Sequence, residues 1–347
     1  MKILVTGNLG YIGPSVILQL RRSYPLAQLV GMDLGFFAHC LTGVNASPER
    51  VLDHQIHKDV RDVEQDDLKG FDTVIHLAAV SNDPMGKEFA VVTDEINCKS
   101  SIKMATLAKS AKVKNYVFAS SCSVYGEASE FAKKEHDELN PLTAYAKSKI
   151  DTETGLANLA SEEFVVTCLR FATACGFSAR TRLDLVLNDF VAAAISNGVI
   201  SILSDGTPWR PLIHVSDMSR AIDWATSRNA SNGGAMLVVN AGSDEWNYQI
   251  KELAAAVANQ IPDTTVEINP DAVPDKRSYK VDFAKFRELA PNHQPQVSLI
   301  DAVKGLRDGL LGMNFSNGDF RNSDFMRLNV LKGHISKERM SNHLGWL

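Results

Sequence analysis

Three evenly spaced glycines near the start of the chain constrain its fold more than any other stretch. Residues 2–6 (Lys-Ile-Leu-Val-Thr) form a short apolar run of the kind found in buried parallel strands. Gly7, Gly10 and Gly13 follow directly, and apolar residues then recur at helical spacing. Glycine allows a tight turn and lets the backbone approach a pyrophosphate, while the helix N-terminus offers unpaired N–H groups to its charge. The stretch therefore predicts a nucleotide-binding loop, with a purely structural turn as the alternative.

A carboxylate follows the second predicted strand. The apolar run at residues 29–32 ends at Asp33, twenty residues after Gly13. A carboxylate at this point accepts hydrogen bonds from the ribose hydroxyls of an adenosine and repels a 2′-phosphate. No arginine follows immediately, so the sequence favours NAD over NADP as the cofactor. A capping or turn aspartate is the structural alternative.

Apolar runs and helical patterns then alternate along the first half of the chain. They predict further buried strands at residues 71–79, 115–120 and 164–169. They also predict one long helix at residues 90–111. This alternation is typical of an α/β fold with a doubly wound parallel sheet of the Rossmann type. Ligands of such sheets bind beyond the carboxyl ends of the strands, which is where Gly7, Asp33, Ala78 and Ser121 fall.

A serine, a tyrosine and a lysine are candidates for proton transfer at a carbinol. Ser121 follows the strand predicted at residues 115–120, and Tyr145 and Lys149 share one helix face because they are four residues apart. In such a trio the serine hydroxyl holds the substrate oxygen, and the lysine charge lowers the pKa of the tyrosine towards the working pH. Tyrosine and lysine are also common together on helix surfaces, so the spacing alone leaves both interpretations open.

Composition excludes several classes of function. The net charge of −5 over 347 residues argues against a nucleic-acid binder or a membrane-surface binder, and no apolar run is long enough to predict a membrane span. The five cysteines lack the spacing of metal ligands, which predicts no metal site, no disulfide framework and a reducing cytoplasmic location. His76, at the end of a predicted strand, is expected to be packed rather than catalytic.

Taken in order, these motifs resemble the extended short-chain dehydrogenase/reductases, and above all their NAD-dependent epimerases and dehydratases that act on nucleotide sugars. The resemblance covers about residues 1–310. It implies an NAD-binding Rossmann-type domain at residues 1–170, a smaller C-terminal α/β substrate domain at residues 171–310, a nucleotide-diphosphate sugar as substrate and a homodimer. Residues 311–347 fall outside it, and their apolar side chains could pack on the body, cover the site or join two subunits.

The resemblance also assigns roles to residues by position. Ser121 would orient a sugar hydroxyl, Tyr145 would take its proton as hydride passes to NAD, and Lys149 would bind the nicotinamide ribose. Besides Tyr145 and Lys149, the cofactor would contact Gly7, Gly10, Tyr11, Ile12, Gly13, Asp33, Asp59, Val60, Leu77, Ala78, Ala79 and Asn97. The substrate would contact Ser123, Thr173, Asn188, Arg210 and Arg277.

The two positions after Ser121 separate branches of the resembled family. Sugar 4,6-dehydratases carry Asp and Glu there for the elimination of water, whereas this chain has Cys122 and Ser123. This difference argues against a 4,6-dehydratase and leaves epimerisation through a transient 4-keto sugar, or a net oxidation or reduction. Cys122 would be either an acid or a small packed residue. An NAD-binding sensor is the non-enzyme alternative, although a sensor needs none of the catalytic trio.

The second half of the chain carries the residues expected to recognise the substrate. Arg210 and Arg277 suit a diphosphate, because a guanidinium group binds phosphate oxygens bidentately. Thr173 stands where the resembled family has an asparagine that contacts the sugar. The charged stretch at residues 178–184 could bind phosphate or sugar hydroxyls, or be a solvated loop. Residues 214–217 predict a strand end followed by a helix N-cap at the serine or the aspartate.

Overall fold

Seven parallel strands form the central sheet of the protein. The computed structural model describes residues 1–127, 131–269, 272 and 277–347. Its strands are β1 Lys2–Thr6, β2 Gln28–Met32, β3 His54–Ile56, β4 Thr73–His76, β5 Asn115–Ser121, β6 Val165–Phe171, β7 Thr173–Cys175, β8 Val199–Ile202, β9 Trp209–His214, β10 Met236–Ala241, β11 Asn247–Gln249 and β12 Thr265–Ile268. The large sheet has the order β10-β6-β5-β4-β1-β2-β3, and every neighbouring pair is parallel. The predicted doubly wound α/β fold is confirmed.

Helices cover both faces of this sheet. They are α1 Gly13–Ser23, α2 Asp83–Glu88, α3 Ala90–Asp94, α4 Ser100–Ser110, α5 Ala144–Ala157, α6 Val186–Asn197, α7 Val215–Thr226, α8 Ile250–Ala258, α9 Ala284–Leu289, α10 Leu299–Gly312 and α11 Arg327–Ser336. Ile3 and Val5 pack in one apolar cluster with α1 and α7, while Leu4 packs in a second cluster with α4. This division follows from the two-residue period of a strand, which turns successive side chains to opposite faces.

The helix predicted at residues 90–111 is interrupted. A π-helical turn at Glu95–Lys99 separates α3 from α4. Asn97 lies in this turn, and its side-chain amide accepts a hydrogen bond from Val80 N–H at 2.8 Å and donates one to the Val80 carbonyl at 3.0 Å. The wider turn therefore brings a buried amide onto the chain that leaves β4, as π-helical turns often do near functional sites.

A smaller α/β region follows the first six strands. It contains a three-stranded sheet of order β11-β9-β7 and a parallel pair formed by β8 and β12. A third apolar cluster, with Leu187, Leu253 and Leu306 among its members, joins α6, α8 and α10 over these strands. Within the same part of the chain, α7 and β10 belong to the large sheet and its helical cover.

The N-cap of α7 differs from the prediction. The cap is His214, whose Nδ1 accepts a hydrogen bond from Ser216 N–H at 3.2 Å. The prediction of Ser216 or Asp217 as the cap is therefore wrong. Asp217 instead accepts hydrogen bonds from Gln296 N–H at 2.9 Å and Val297 N–H at 3.2 Å, so its carboxylate anchors a distant segment.

His76 is packed, as predicted. Only 1% of its surface is exposed, and its two ring nitrogens each lie 2.8 Å from a hydroxyl, that of Thr6 on one side and that of Ser101 on the other. Burial lowers the pKa of His76 to about 3. The ring therefore stays neutral at physiological pH and joins β1, β4 and α4 as a structural element.

The last 35 or so residues return to the large sheet rather than ending on the smaller region. Leu331, Met340 and Leu344 are buried in the same apolar cluster as Leu4. Phe320 is buried in the cluster of the smaller region. The segment therefore packs on the body of the protein along both of its parts.

Candidate active site

A cavity of about 1010 Å³ opens at the carboxyl ends of β1, β2, β4, β5 and β6. Most of the residues predicted to bind cofactor or substrate line it. They are Gly7, Gly10, Tyr11, Ile12, Asp33, Asp59, Val60, Leu77, Ala78, Ala79, Ser121, Ser123, Tyr145, Lys149, Thr173, Arg210 and Arg277. A cavity of this size is larger than a single small ligand needs, and it suits two ligands bound side by side.

The glycine loop fits a dinucleotide pyrophosphate. Gly7 has φ of +71°, and a Cβ atom placed on it would lie 2.6 Å from the backbone nitrogen of Ala78. A Cβ on Gly13 would collide with the backbone of Asn8. The loop can therefore approach neighbouring backbone only with glycine at these positions. It leads into α1, whose first turn contains no acidic residue, so its free N–H groups face no competing carboxylate.

Asp33 is oriented by the loop it faces. One carboxylate oxygen accepts a hydrogen bond from Leu9 N–H at 3.1 Å, and the other accepts one from Gly35 N–H at 2.7 Å. Burial raises the pKa of Asp33, and these two N–H groups oppose the rise. Each carboxylate oxygen keeps a lone pair for a further donor, which is what the two hydroxyls of an adenosine ribose require.

Ser121, Tyr145 and Lys149 meet in the cavity because a strand end and the first turns of a helix converge there. Thr143 caps α5 by accepting a hydrogen bond from Ala146 N–H at 3.1 Å, which places Tyr145 in the first turn of the helix. A side-chain hydrogen bond joins Tyr145 to Ser121. The Lys149 ammonium donates to the Ala119 carbonyl at 2.7 Å and lies 5.4 Å from the centre of the Tyr145 ring.

The acidity of these groups differs from the prediction. Burial raises the pKa of Tyr145 to about 12, and the hydrogen bond from Ser121 is the strongest effect that opposes the rise. Burial lowers the pKa of Lys149 to about 8, against the charge of Glu153. The predicted lowering of the Tyr145 pKa by Lys149 is therefore wrong for this structure, because the loss of water around the phenol outweighs the other effects.

A buried polar network lies next to Ser121 and Lys149. Ser120 donates to a carboxylate oxygen of Glu153 at 2.5 Å, and Arg170 donates to the other oxygen at 2.7 Å. Arg170 also donates to the Tyr125 hydroxyl at 3.1 Å, which in turn donates to the Asn240 side chain at 2.6 Å. All five residues are buried. The network ties β5, the helix that carries Lys149 and β6 together next to Ser121.

Cys122 lies behind the cavity wall. Its side chain is fully buried, and its thiol donates to the Arg170 carbonyl at 3.1 Å. Burial raises the pKa of Cys122. A buried thiol with a raised pKa holds its proton and does not face the cavity, so the packed interpretation is the one that the structure favours.

Replacement of Cys122 by alanine is expected to leave kcat/KM within about threefold of the original value, whereas loss of a general acid costs about 10²–10⁴-fold. The variant should lose about 1–2 kcal/mol of stability because it leaves a small cavity. Steady-state kinetics and urea unfolding measure the two effects. A fall in kcat of a hundredfold or so, with the fold intact, would assign Cys122 to the chemistry after all.

Ser123 and Thr173 face the space next to the trio. Ser123 Oγ is buried and has no hydrogen-bond partner among the described residues, although its residue lines the cavity. An orphaned hydroxyl in a cavity wall is satisfied when a polar ligand binds. Ser123 is therefore a direct candidate for contact with a sugar.

The stretch at residues 178–184 is not a solvated loop. Arg180 and Arg182 are 2% and 6% exposed. Arg182 pairs bidentately with Asp184, at 2.8 and 3.0 Å, and donates to the Ser81 hydroxyl at 2.9 Å. Arg182 and Asp184 both line the cavity, so they can meet a sugar as a paired, hydrogen-bonding surface.

Several arginines line the cavity. Arg210 lies over the ring of Tyr279, 5.8 Å from its centre, and Arg277 pairs with Asp83 at 3.0 Å. Arg321, which follows the region of the resemblance, pairs with Asp189 and also lines the cavity. This concentration of guanidinium groups suits a diphosphate. The two residues before Arg277 in its predicted motif, Asp275 and Lys276, lie outside the described residues.

Three predicted contact residues lie behind the wall instead of in it. Gly13 packs on Asn8, and Asn97 is hydrogen-bonded to Val80. The Asn188 side chain accepts a hydrogen bond from Gly176 N–H at 2.9 Å and donates one to the Arg182 carbonyl at 2.8 Å. Their direct contact with cofactor or substrate stays a prediction. Leu331 and Leu344 line the cavity, which agrees with one of the alternatives for residues 311–347. No motif indicated the further lining residues Phe36, Phe37, Arg321, Met326 and Arg327.

Among the described residues, 1–127, 131–269, 272 and 277–347, no group of three or more His, Cys, Asp or Glu side chains is placed to hold a metal ion. No helix in the same part of the chain is long and apolar enough to cross a bilayer.

Known proteins match this chain over most of its length. It is 24% identical to the UDP-glucose 4-epimerase of Mycolicibacterium smegmatis over 316 residues. The match covers 87% of this chain and 96% of that protein. The NAD-dependent NDP-hexosamine 5,6-dehydratase TunA has a similar fold, with a TM-score of 0.76 and 20% identity over 92% of this chain and 99% of that one. The structure of MoeE5 in complex with UDP-glucuronic acid and NAD has a TM-score of 0.75 and 24% identity, and the match covers 90% of this chain and 99% of MoeE5.

The family itself follows from a sequence profile. The profile of the NAD dependent epimerase/dehydratase family matches residues 3–242, which include the glycine loop, Ser121, Tyr145 and Lys149. The match covers well over half of the chain, and the cavity fits the cofactor of that family. The chain therefore belongs to the NAD-dependent epimerase/dehydratase family, and its cofactor is NAD.

Proposed function

We propose that this protein is a nucleotide-sugar epimerase that works through a transient 4-keto sugar. The observation that carries the proposal is the hydrogen-bonded pair of Ser121 and Tyr145 beside Lys149, in a wall without a carboxylate at positions 122 and 123. Elimination of water from the sugar needs a further acid–base pair, and Cys122 is buried away from the cavity. Oxidation and reduction at C4 of the sugar need no acid–base residues besides Ser121, Tyr145 and Lys149.

Each member of the trio has a distinct task in this proposal. Bound NAD supplies a site at its nicotinamide that can accept a hydride and return it. Tyr145 takes the proton of the sugar hydroxyl and later returns it, while Ser121 holds the oxygen in line. Lys149, whose pKa burial lowers to about 8, is mostly charged at neutral pH and would bind the nicotinamide ribose. Because the pKa of Tyr145 is raised to about 12, the phenol must first lose its own proton to solvent, and the Ser121 hydrogen bond and the Arg182 charge both favour that loss.

The substrate in this proposal is a nucleotide-diphosphate sugar. Ser123, Thr173 and the Arg182–Asp184 pair would contact the sugar, and Arg210 and Arg277 would clamp the diphosphate. The M. smegmatis relative is a UDP-glucose 4-epimerase and MoeE5 binds UDP-glucuronic acid, which makes UDP-sugars the first choice. We assign the cofactor to residues 1–170 and the sugar to residues 171–310. A homodimer and a cytoplasmic location, in keeping with five free cysteines, complete the proposal.

Turnover of purified protein on a panel of UDP-, GDP-, CDP- and dTDP-sugars, with and without added NAD, tests the proposal. We expect a new sugar stereoisomer, detected by NMR, without any need for added NAD. A requirement for added NAD, with NADH accumulating alongside a keto sugar, would identify a net dehydrogenase instead. Loss of water from the sugar would identify a dehydratase, and no change with any sugar would favour the sensor alternative.

A further inference from the structure

The C-terminal segment lines the cavity at its cofactor end. Arg327, Leu331 and Leu344 belong to the cavity wall, yet they lie far outside residues 3–242, the part that the family profile matches. They share the wall with residues around the predicted adenosine site, namely Asp33, Leu34, Phe36, Phe37, Lys58, Asp59 and Val60. Leu344 is fully buried and Leu331 is 2% exposed, so both are firmly packed in this position.

The end of the segment is bonded to both loops of the adenosine site. Arg61, in the turn after β3, donates to the His343 carbonyl at 2.7 Å and to the Leu344 carbonyl at 3.0 Å. The indole N–H of Trp346 donates to the Leu34 carbonyl, in the loop after β2, at 2.8 Å. One short stretch of chain thus connects the loop that follows Asp33 with the turn that contains Asp59 and Val60.

Helix α11 continues this connection towards the substrate side. Its first residue, Arg327, donates to the Arg180 and Thr181 carbonyls at 2.7 and 3.2 Å. Further along the helix, Lys332 pairs with Glu88 of α2 at 3.3 Å. The segment is therefore fixed on three sides of the cavity: at the charged stretch, at α2 and at the adenosine loops.

Arg327 brings a cation into this wall. The residue is 1% exposed, its guanidinium lies 5.3 Å from the centre of the Phe37 ring, and its Nε is buried without a hydrogen-bond partner among the described residues. An unpaired donor on a buried cation is costly unless a ligand satisfies it. The cavity beside it takes a cofactor that carries two phosphate charges.

We propose that residues 327–346 complete the NAD site of this chain. Leu331 and Leu344 cover the adenosine half of the cofactor, Arg327 offers its cation to the dinucleotide, and Trp346 holds the cover on the loop after β2. NAD can then leave only when the segment lifts. The inference rests on the proposed function and deepens it, because an enzyme that regenerates its own cofactor in every cycle has no need to release it.

The release rate of NAD, measured without any sugar, tests the proposal. Protein saturated with NAD is mixed with an excess of fluorescent etheno-NAD, and the exchange is followed by fluorescence. We expect Trp346→Ala and Leu344→Ala to speed release by about tenfold or more, because each loosens the cover without touching the glycine loop. The matched control is Leu347→Ala, whose side chain is 82% exposed and should leave the rate unchanged.

A second measurement addresses Arg327 and guards against misfolding. Arg327→Met should weaken equilibrium NAD binding by about tenfold and reduce its dependence on salt concentration, as loss of one phosphate-facing charge predicts. Thermal melting identifies the variants that are folded. Unchanged release in folded Trp346→Ala and Leu344→Ala protein, or unchanged affinity in Arg327→Met, overturns the proposal. Since no sugar is present, this outcome is independent of the panel that tests epimerase activity.

Discussion

Replacement of Tyr145 by phenylalanine is expected to lower turnover by a factor of about 10³–10⁴ while leaving NAD bound. The change removes one oxygen atom, the only atom of the side chain that can take a proton from a sugar hydroxyl. Ser121 cannot replace it, because a serine hydroxyl is a far weaker acid than a phenol and so does not ionise to a base at neutral pH. Ser121 instead forms a hydrogen bond with the phenol. Lys149 is held on the Ala119 carbonyl and should keep its place.

Single-turnover kinetics with the substrate found in the panel measure this effect. NAD content of the purified variant, read after denaturation, shows whether the cofactor site is intact. Tyr24→Phe is the matched control, since Tyr24 does not line the cavity and its hydroxyl bonds to Ser227 at 3.2 Å and to the Asp223 carbonyl at 3.4 Å. Turnover of Tyr145→Phe within about tenfold of the original protein would contradict the role of Tyr145 and revive the sensor alternative.

Replacement of Glu153 by glutamine is expected to destabilise the protein by about 3–5 kcal/mol, because it leaves the Arg170 cation buried without its counter-charge. The side chains of Glu153 and Arg170 are 7% and 5% exposed, so water does not compensate for the lost charge. The shift of the urea midpoint at unchanged m-value measures the effect. The exposed pair of Lys69 and Asp66 is the control, and Asp66→Asn should cost less than about 1 kcal/mol.

A double variant sharpens this test. Glu153→Leu together with Arg170→Met removes both charges, so it should be more stable than either single variant, as expected when the cost comes from an unpaired charge. Additive losses would instead mean that each side chain acts on its own. Either single variant should also lose activity, because Ser120, which donates to Glu153, directly precedes Ser121.

Local patterns were enough to predict the central sheet and the glycine loop. Strands buried on both faces must be short apolar runs, and β1, β2, β5 and β6 lie within two residues of their predicted bounds. The tight loop at Gly7 leaves no room for a Cβ atom, so the position requires glycine and the sequence pattern indicates the loop. The trio of Ser121, Tyr145 and Lys149 was also accessible, because one strand end and one helical turn suffice to bring it together.

Contacts that depend on burial or on distant segments were beyond reach of the sequence. The direction of the Asn97 and Asn188 side chains was set by backbone groups of Val80, Gly176 and Arg182, which no spacing indicates. The acidity of Tyr145 was set by the water that folding removes.

The sequence by itself determined the fold class, the glycine loop and the spacing that brings Ser121, Tyr145 and Lys149 together, because periodicity and backbone sterics act over a few residues. Tertiary structure alone decided that Arg182 lines the cavity, that Cys122 does not, and that Leu331 and Leu344 lie in its wall. Arg61 and Leu344 are far apart in the chain and meet only after the sheet has formed. Their contact depends on the summed packing of the whole fold, which no local pattern contains.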